Sequence, residues 1–511
     1  MKLVTSSLML ALDSAAIRSG VPSIDLMERA GKGVAEAVKK RFSRKGLVSV
    51  VVGKGNNGGD GLVAARYLKE SGFAVAVFLL APWTEFKDDA RTNWDRLAGK
   101  GIDVFEVISE SDIKKYLKKF EESVCIVDAI FGTGLSNEVA GKYKTAIEFI
   151  NKLVKPVVSV DIPSGLSSDT GRPLGSAIRA RLTVTFGLPK VGLMTNTGSE
   201  YAHEIEVVDI GIPGELVKKT DTKHYLITPD MFADFFGPRE KDVHKGSFGH
   251  VLIVGGSTGK IGAGLIASRA ALRVGCGLVT YALPKTAYAK FDTHSPEVMY
   301  EAVEDGDKGF FGKSSKVNLK DKSVVALGPG IGTEEATKSF VREIAKKSSA
   351  PLIIDADGLN CIADNIASIS GRKNPVILTP HPGEMSRLAG KSTCEIQDDR
   401  IAVAREFAEN HGVYVVLKGY RTVVSSPEGV IFINPTGNPG LATAGTGDCL
   451  TGVIAGFISQ GIPVIESVIA GVYVHGLAGD MAAEKNGERG LIASDIINHL
   501  PNILKLIANI K

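Results

Sequence analysis

Apolar runs alternate with amphipathic stretches along the whole chain. In the first 212 residues, runs rich in Val, Ile and Leu at 47–52, 73–80, 124–128, 157–161, 182–186 and 205–209 read as strands. Helix-like stretches such as 24–42 and 61–71 lie between them. Continuous apolar strands separated by helices predict a parallel sheet covered on both faces. A second series predicts strands at 250–254, 277–282, 323–327, 351–355, 375–379, 413–417 and 430–433, and a helical pattern fills 447–511. The piece 413–433 reads as a hairpin, so part of this second sheet is expected to be antiparallel. The segment 211–229 is polar, with Pro and Lys, and marks a domain boundary at about residue 220. The pattern therefore predicts two fused α/β domains.

Composition agrees with that size. At about 150 residues per domain, 511 residues make two to four domains, or two large ones. The chain is 44% hydrophobic and 23% charged, which supports large cores. Sixty basic residues against 57 acidic ones give a net charge of +3, which argues against a nucleic-acid coat or a polybasic membrane patch. Five scattered cysteines form no CxxC pair, which favours a reduced compartment over a disulfide framework. The apolar run Leu8–Leu12 ends at Asp13, too short for a signal-peptide core. A cytoplasmic protein with no membrane and no nucleic-acid partner is expected. The helices flanking both sheets could support a homo-oligomer.

Candidate chemistry begins after the first strand, at Gly53-Lys54-Gly55-Asn56-Asn57-Gly58-Gly59-Asp60-Gly61. A strand, a glycine loop and a helix aim backbone N–H groups at an anion, usually a phosphate. G-x-G-x-x-G is formally present, but the next strand ends in Leu79-Leu80-Ala81, without the acidic residue that holds a ribose in dehydrogenases. Two further loops, Val127-Asp128-Ala129-Ile130-Phe131-Gly132-Thr133-Gly134 and Val160-Asp161-Ile162-Pro163-Ser164-Gly165, each place an Asp at a strand's carboxyl end. A carboxylate there is a proton carrier or a cation ligand. On the residues alone, either Asp could take either role.

GKGNNGGDG, VDAIFGTG and VDIPSG, with the opening Met27-Glu28-Arg29-Ala30-Gly31, resemble the YjeF N-terminal family of NAD(P)H-hydrate epimerases over residues 1–212. The resemblance implies a Rossmann-like three-layer domain in which Asn56, Asn57, Gly58, Gly59 and Asp60 line the hydrate's site. It implies substrate contacts from Gly132, Thr133, Gly134, Leu135, Ser136, Asn137 and Glu138. It implies a potassium ion held by Asn57, Asp128 and Ser164, and Asp161 as the acid/base that also contacts substrate. A carboxylate engaged with a cation stays ionised, whereas a free one nearby can exchange protons.

In the second domain, Gly255-Gly256-Ser257-Thr258-Gly259-Lys260 is not a P-loop. Val254 stands where the first glycine belongs and Ile261 where the Ser/Thr belongs. A stronger signal is Asn438-Pro439-Gly440-Leu441-Ala442-Thr443-Ala444-Gly445-Thr446-Gly447-Asp448, followed by an apolar helix. Small residues at a helix start leave N–H groups free for a phosphoryl group in flight, and an Asp there can accept a proton from an attacking hydroxyl. Lys418 ends a strand and is a candidate phosphate contact. Gly328-Pro329-Gly330-Ile331-Gly332 and Thr379-Pro380-His381-Pro382-Gly383-Glu384 are further ligand-facing loops, the prolines holding His381 rigid.

HKGSFGHVLIVGGS, GAG at 262–264, GPGIG, TPHPGE, LKGYRT and NPTGNPGLATAGTGD are similar to the ribokinase-like superfamily, and within it to the NAD(P)H-hydrate dehydratases, over residues 225–511. The resemblance implies that Lys418, Gly419, Tyr420, Arg421, Thr422 and Gly447 bind ADP or ATP, with magnesium at the dehydratase site. It implies that Ala263, Gly330, His381 and Asp448 contact hydrated NADH or NADPH. Gly264 departs from the pattern of the family, where Pro or Ala is often found, and that bears on the loop's rigidity. Together the halves are expected to epimerise the R and S hydrates at Asp161 and to dehydrate the S form at Asp448. The alternative is a small-molecule kinase, for a vitamin or sugar, fused to a non-catalytic nucleotide-binding domain.

Overall fold

The computed structural model describes residues 1–42, 46–290 and 295–509, so the last two residues of the helical pattern 447–511 lie outside the described residues. The chain divides into two compact units, with the break between His224 and Tyr225 and with Met1 belonging to the second unit.

The first unit holds a seven-stranded, all-parallel sheet. Its spatial order is Asp103–Glu106, Ala74–Leu79, Leu47–Val52, Ser123–Ala129, Val157–Val160, Leu182–Phe186 and Glu204–Val208. Successive residues feed opposite cores. Val48, Val50 and Val52 join one apolar cluster, and Val51 joins another with Phe78 and Phe120. This is the three-layer arrangement that the continuous apolar runs require. Asp103–Glu106 was not expected, because DVFE is short and mostly exposed. Both sheet edges carry paired charge: Lys119 lies 3.4 Å from Asp103, and Arg41 bridges Glu204 and Glu206 at 3.2 and 2.8 Å.

The strand order reverses between Leu47–Val52 and Ser123–Ala129, which run side by side and send their connections to opposite sides. In open α/β sheets ligands bind in the crevice beyond the carboxyl ends at such a switch point.

The second unit holds a ten-stranded sheet. Met299–Val303, Leu278–Pro284, His250–Val254, Val324–Leu327, Leu352–Ile354, Val376–Leu378 and Tyr414–Leu417 are parallel. Val423–Ser425 and Ile431–Ile433 then continue antiparallel, as the hairpin pattern predicts. His224–Leu226 completes the far edge. The switch point falls between His250–Val254 and Val324–Leu327. Helices Ile261–Arg273, Thr446–Ser459, Val464–Asn486 and Ala493–Ala508 contribute to the main apolar core. Val464–Asn486 is long and apolar enough to span a membrane by length and composition, but most of its apolar window is buried in this core. All five cysteines are free, and only Cys394 is exposed.

Candidate active sites

In the first unit the glycine motif is already helix. Asn56–Asp60 form the first turn of Asn56–Glu70, where a loop was expected. A Cβ at Gly58 would lie 1.9 Å from the Gly53 carbonyl oxygen, so only glycine lets this turn fold against the strand end. A cavity of about 690 Å³ opens beside it, lined by Asn56, Asn57, Asp60, Gly132, Thr133, Gly134, Leu135 and Asp161. Gly58 and Gly59 are buried in packing instead, and Ser136, Asn137 and Glu138 do not line the cavity.

Asp161 follows the strand Val157–Val160 in a left-handed backbone conformation, φ 64°, closed by an Ile162 N–H to Val160 carbonyl bond of 2.8 Å. Such a turn costs roughly 1–3 kcal/mol and persists only where its surroundings over-determine it. The surroundings are Lys190, Thr185 Oγ1 and the Phe186 N–H, all donating to Asp161 Oδ1; Lys190 Nζ is 2.5 Å away. This corrects the expectation of a carboxylate free of any cation. Lys190 is almost wholly buried and also donates to Thr185 Oγ1 and the Phe186 carbonyl. It stands alone in the apolar stretch GLPKVGL, and that isolation was the signal available. Asp60 is held well above the carboxylate range by burial, with repulsion from Asp161 and Asp13 adding to it.

Asp128 is fully buried and bonded only to neutral donors. It accepts from Ser164 Oγ at 2.5 Å, Ser164 N–H at 2.9 Å, Ser159 Oγ at 2.8 Å and Ile130 N–H at 3.3 Å. Burial raises its carboxyl against these bonds. Ser164 Oγ also donates to the Phe131 carbonyl, and the next residue, Gly132, approaches the Asn57 side chain. Asn57 is buried with its amide nitrogen unpartnered. A buried carboxylate with no cationic side chain bonded to it, beside the Asn57 side chain and the Ser164 hydroxyl, offers the oxygen donors that a hard cation takes.

In the second unit, Asp448 lies in the first turn of Thr446–Ser459, behind Gly445 at φ 90°. The first N–H groups of a helix have no acceptor within it, so Gly447 and Asp448 present theirs to whatever docks there. Burial, reinforced by repulsion from Asp355, pushes the Asp448 carboxyl up to about 7, with Lys418 pulling the other way. His475 is buried and held neutral, lowered to about 4 mainly by burial, and hydrogen-bonds the Thr446 carbonyl through Nε2 at 2.9 Å.

Lys418 follows its strand and lies between two carboxylates. Its Nζ is 2.8 Å from Asp355 Oδ1 and 3.9 Å from Glu384 Oε2, and a Cβ at Gly447 would lie 3.3 Å from it. Burial opposes its charge, but Asp355 and Glu384 outweigh burial and hold the ammonium above its ordinary range. Burial likewise opposes Asp355, yet Lys418 and Thr451 keep its carboxyl below the usual range. Glu384 is pushed up to about 7 by burial, partly countered by Lys418. The sequence reading missed Asp355 as a site residue, although LIID at 352–355 ends in an acidic residue just as IVD at 126–128 and SVD at 159–161 do.

His381 is fixed by a capping box rather than by its prolines alone. Its Nδ1 accepts from the Gly383 and Glu384 N–H groups, and Glu384 Oε2 accepts from the His381 N–H at 2.8 Å. Buried Arg400 donates to the carbonyls of Leu417, Lys418 and Tyr420, shaping the Lys418–Thr422 loop from behind. Arg421 in that loop has φ 56°, and Tyr420 is half exposed. Ala263 sits against Gly330. Lys260 pairs with Asp357 at 3.1 Å, as does the Gly332 N–H, tying together the two loops at the switch point. Gly264 lies within the helix Ile261–Arg273, where a Cβ would meet the buried Tyr281 ring at 2.3 Å. The tyrosine ring fills the space that a Pro or Ala side chain would need.

Two α/β units, each gathering a lysine and several carboxylates at the carboxyl ends of its sheet, define a two-site enzyme. A model of the YjeF-related protein N-terminus matches residues 23–192, and one described as NAD(P)H-hydrate dehydratase matches residues 251–502. The bifunctional NAD(P)H-hydrate repair enzyme of Moorella thermoacetica is 40% identical over 99% of this chain and 97% of its own. That of Thermofilum pendens is 42% identical over 96% of this chain and 94% of its own. A crystal structure of the ADP/ATP-dependent NAD(P)H-hydrate dehydratase from Bacillus subtilis with ATP/Mg2+ covers 55% of this chain and 98% of that one, at 30% identity and a TM-score of 0.49. The chain belongs to the family of bifunctional NAD(P)H-hydrate repair enzymes, with a YjeF N-terminal unit and a ribokinase-like C-terminal unit.

Proposed function

We propose that this chain repairs hydrated NADH and NADPH, its first unit interconverting the C6 epimers and its second dehydrating the S epimer with ADP or ATP. The observation that carries the reading is Asp448: a carboxyl poised near neutrality, at the bare start of a helix, beside Lys418. A base with that poise can take the proton of the C6 hydroxyl as its oxygen attacks the terminal phosphoryl group. The N–H groups of Gly447 and Asp448 face the developing charge, and Lys418 offers a cation to the phosphates. Phosphate then leaves far more readily than hydroxide, and elimination restores the dihydronicotinamide. Lys418 to Thr422 hold the nucleotide, while Ala263, Gly330 and His381 hold the hydrate. Among the described residues no group of three His, Cys, Asp or Glu side chains is placed to hold a metal ion, so magnesium would arrive on the nucleotide's phosphates.

In the first unit Asp161 carries protons at C6, with Lys190 fixing its orientation. Asn57, Asp128 and Ser164 would hold potassium, whose charge would anchor the negative end of the substrate. The second reading, a kinase, predicts a stable phosphorylated product. The test uses the full chain with purified R and S hydrates, ADP and ATP in parallel. Asp448→Asn abolishes nucleotide-dependent recovery of dihydronicotinamide absorbance and leaves epimer exchange intact; Asp161→Asn does the reverse. Loss of both activities from either substitution would refute this division of labour.

A further inference from the structure

The helix Ser6–Arg18 forms one wall of the first unit's cavity, through Met9, Leu10, Asp13 and Ile17. Leu10, Asp13 and Ile17, spaced three and four apart, share one face of the helix. Leu10 is 68% exposed and Ile17 45%, an apolar stripe without cover, and between them stands one carboxyl. Asp13 Oδ1 is buried with no hydrogen-bond partner. An ionised carboxylate does not tolerate an unpartnered buried oxygen, whereas a protonated one does so far more cheaply. Burial accordingly raises the Asp13 carboxyl to about 6, Lys190 pulling it down and Asp161 pushing it up. The charged groups acting on it are thus Lys190, Asp161 and, through their mutual repulsion, Asp60.

We propose that Asp13 is the second proton-transfer group of the epimerase site, working as a pair with Asp161, while the Leu10 and Ile17 stripe seats the apolar face of the hydrated ring. This rests on the epimerase reading above. The protonated Asp13 gives its proton to the C6 hydroxyl oxygen. The C6–O bond breaks, water leaves, and the N1 lone pair forms the C6–N1 double bond of an iminium. Water then adds to the other face of C6, returning the electron pair to N1, and ionised Asp161 takes the surplus proton. Hydroxyl, ring and charge are restored with C6 inverted, and one proton has moved from Asp13 to Asp161; the reverse epimerisation moves it back. The reactive form in either direction therefore holds a single proton on the pair.

The experiment measures epimer exchange by chromatography in the full chain and in Asp13→Asn and Asp13→Glu, from pH 5 to 9. A melting transition of the first unit at the wild-type temperature reports that each variant is folded there. Wild-type exchange is expected to fall as pH rises through about 6. Asp13→Asn should lose about 10²–10⁴-fold in kcat with little change in KM, and the residual rate should lack that fall. Asp13→Glu should restore part of the rate together with the fall. Wild-type exchange in Asp13→Asn, or a loss confined to KM with the fall retained, would overturn the inference. If the wild-type chain itself fails to exchange the epimers, the epimerase reading is what fails.

Discussion

Replacing Lys418 with Met would expose the electrostatics of the dehydratase site most directly. In the native protein Asp355 is almost completely buried and its charge is met by Lys418 at 2.8 Å. Removing one member of a buried pair costs about 3–5 kcal/mol, because the other charge is left uncompensated. At about 2–4 °C per kcal/mol for a large domain, melting of the C-terminal unit should drop by roughly 6–20 °C at pH 8. The deficit depends on pH with a definite sign. Wild-type Asp355 has a depressed folded value, so its stabilisation is present above the unfolded carboxylate range and is lost as pH falls through the folded value. Without Lys418 that carboxyl rises instead and accepts a proton sooner, so the gap between variant and wild type narrows from pH 8 to pH 5. The same substitution removes the cation that lowers Asp448, so the ascending limb of dehydration, centred near 7 in the wild type, moves to higher pH. Thermal melts at both pH values and a pH–rate profile at saturating nucleotide read these effects. An equal deficit at pH 5 and pH 8, or a limb displaced downward, would refute the electrostatic account.

Other perturbations probe packing and the cation site. Gly264→Ala should destabilise the second unit by up to about 2 kcal/mol, since overpacking against Tyr281 costs about 1–3 kcal/mol and the gain in helix propensity returns about 1; a raised melting temperature would show that the ring moves aside freely. Ser164→Ala removes the 2.5 Å bond to Asp128 and should cost about 1–3 kcal/mol in the first unit, read by chemical denaturation. Potassium should raise the melting temperature of the wild-type first unit more than sodium does, and Asn57→Ala should lose that difference.

Strand placement was legible wherever a strand is buried on both faces, because an apolar run such as LVSVVV admits few other readings. It failed at edges. Asp103–Glu106 and Met299–Val303 are short and broken by charged residues, and three-residue His224–Leu226 lies inside a segment polar enough to pass for a linker. The first turn at Asn56 reads as a loop because glycine and asparagine weaken helix propensity, while tertiary packing holds it helical. Asp128, Asp161 and Asp448 stood out because each adjoins an apolar run. Lys190, Arg400 and Asp13 did not, since their roles arise from partners 29, 17 to 20 and many more residues away, a proximity that only the fold creates.

The charged rims of the seven-stranded sheet have a consequence for solubility at high concentration. A sheet woven from Val, Ala and Leu would otherwise offer its outermost backbone N–H and carbonyl groups to a neighbouring molecule. Asp103 with Lys119 on one border, and Glu204 and Glu206 with Arg41 on the other, put desolvation and repulsion in the way of such a docking strand. Neutralising both borders should therefore leave the fold standing and yet make the protein prone to fibrous self-association.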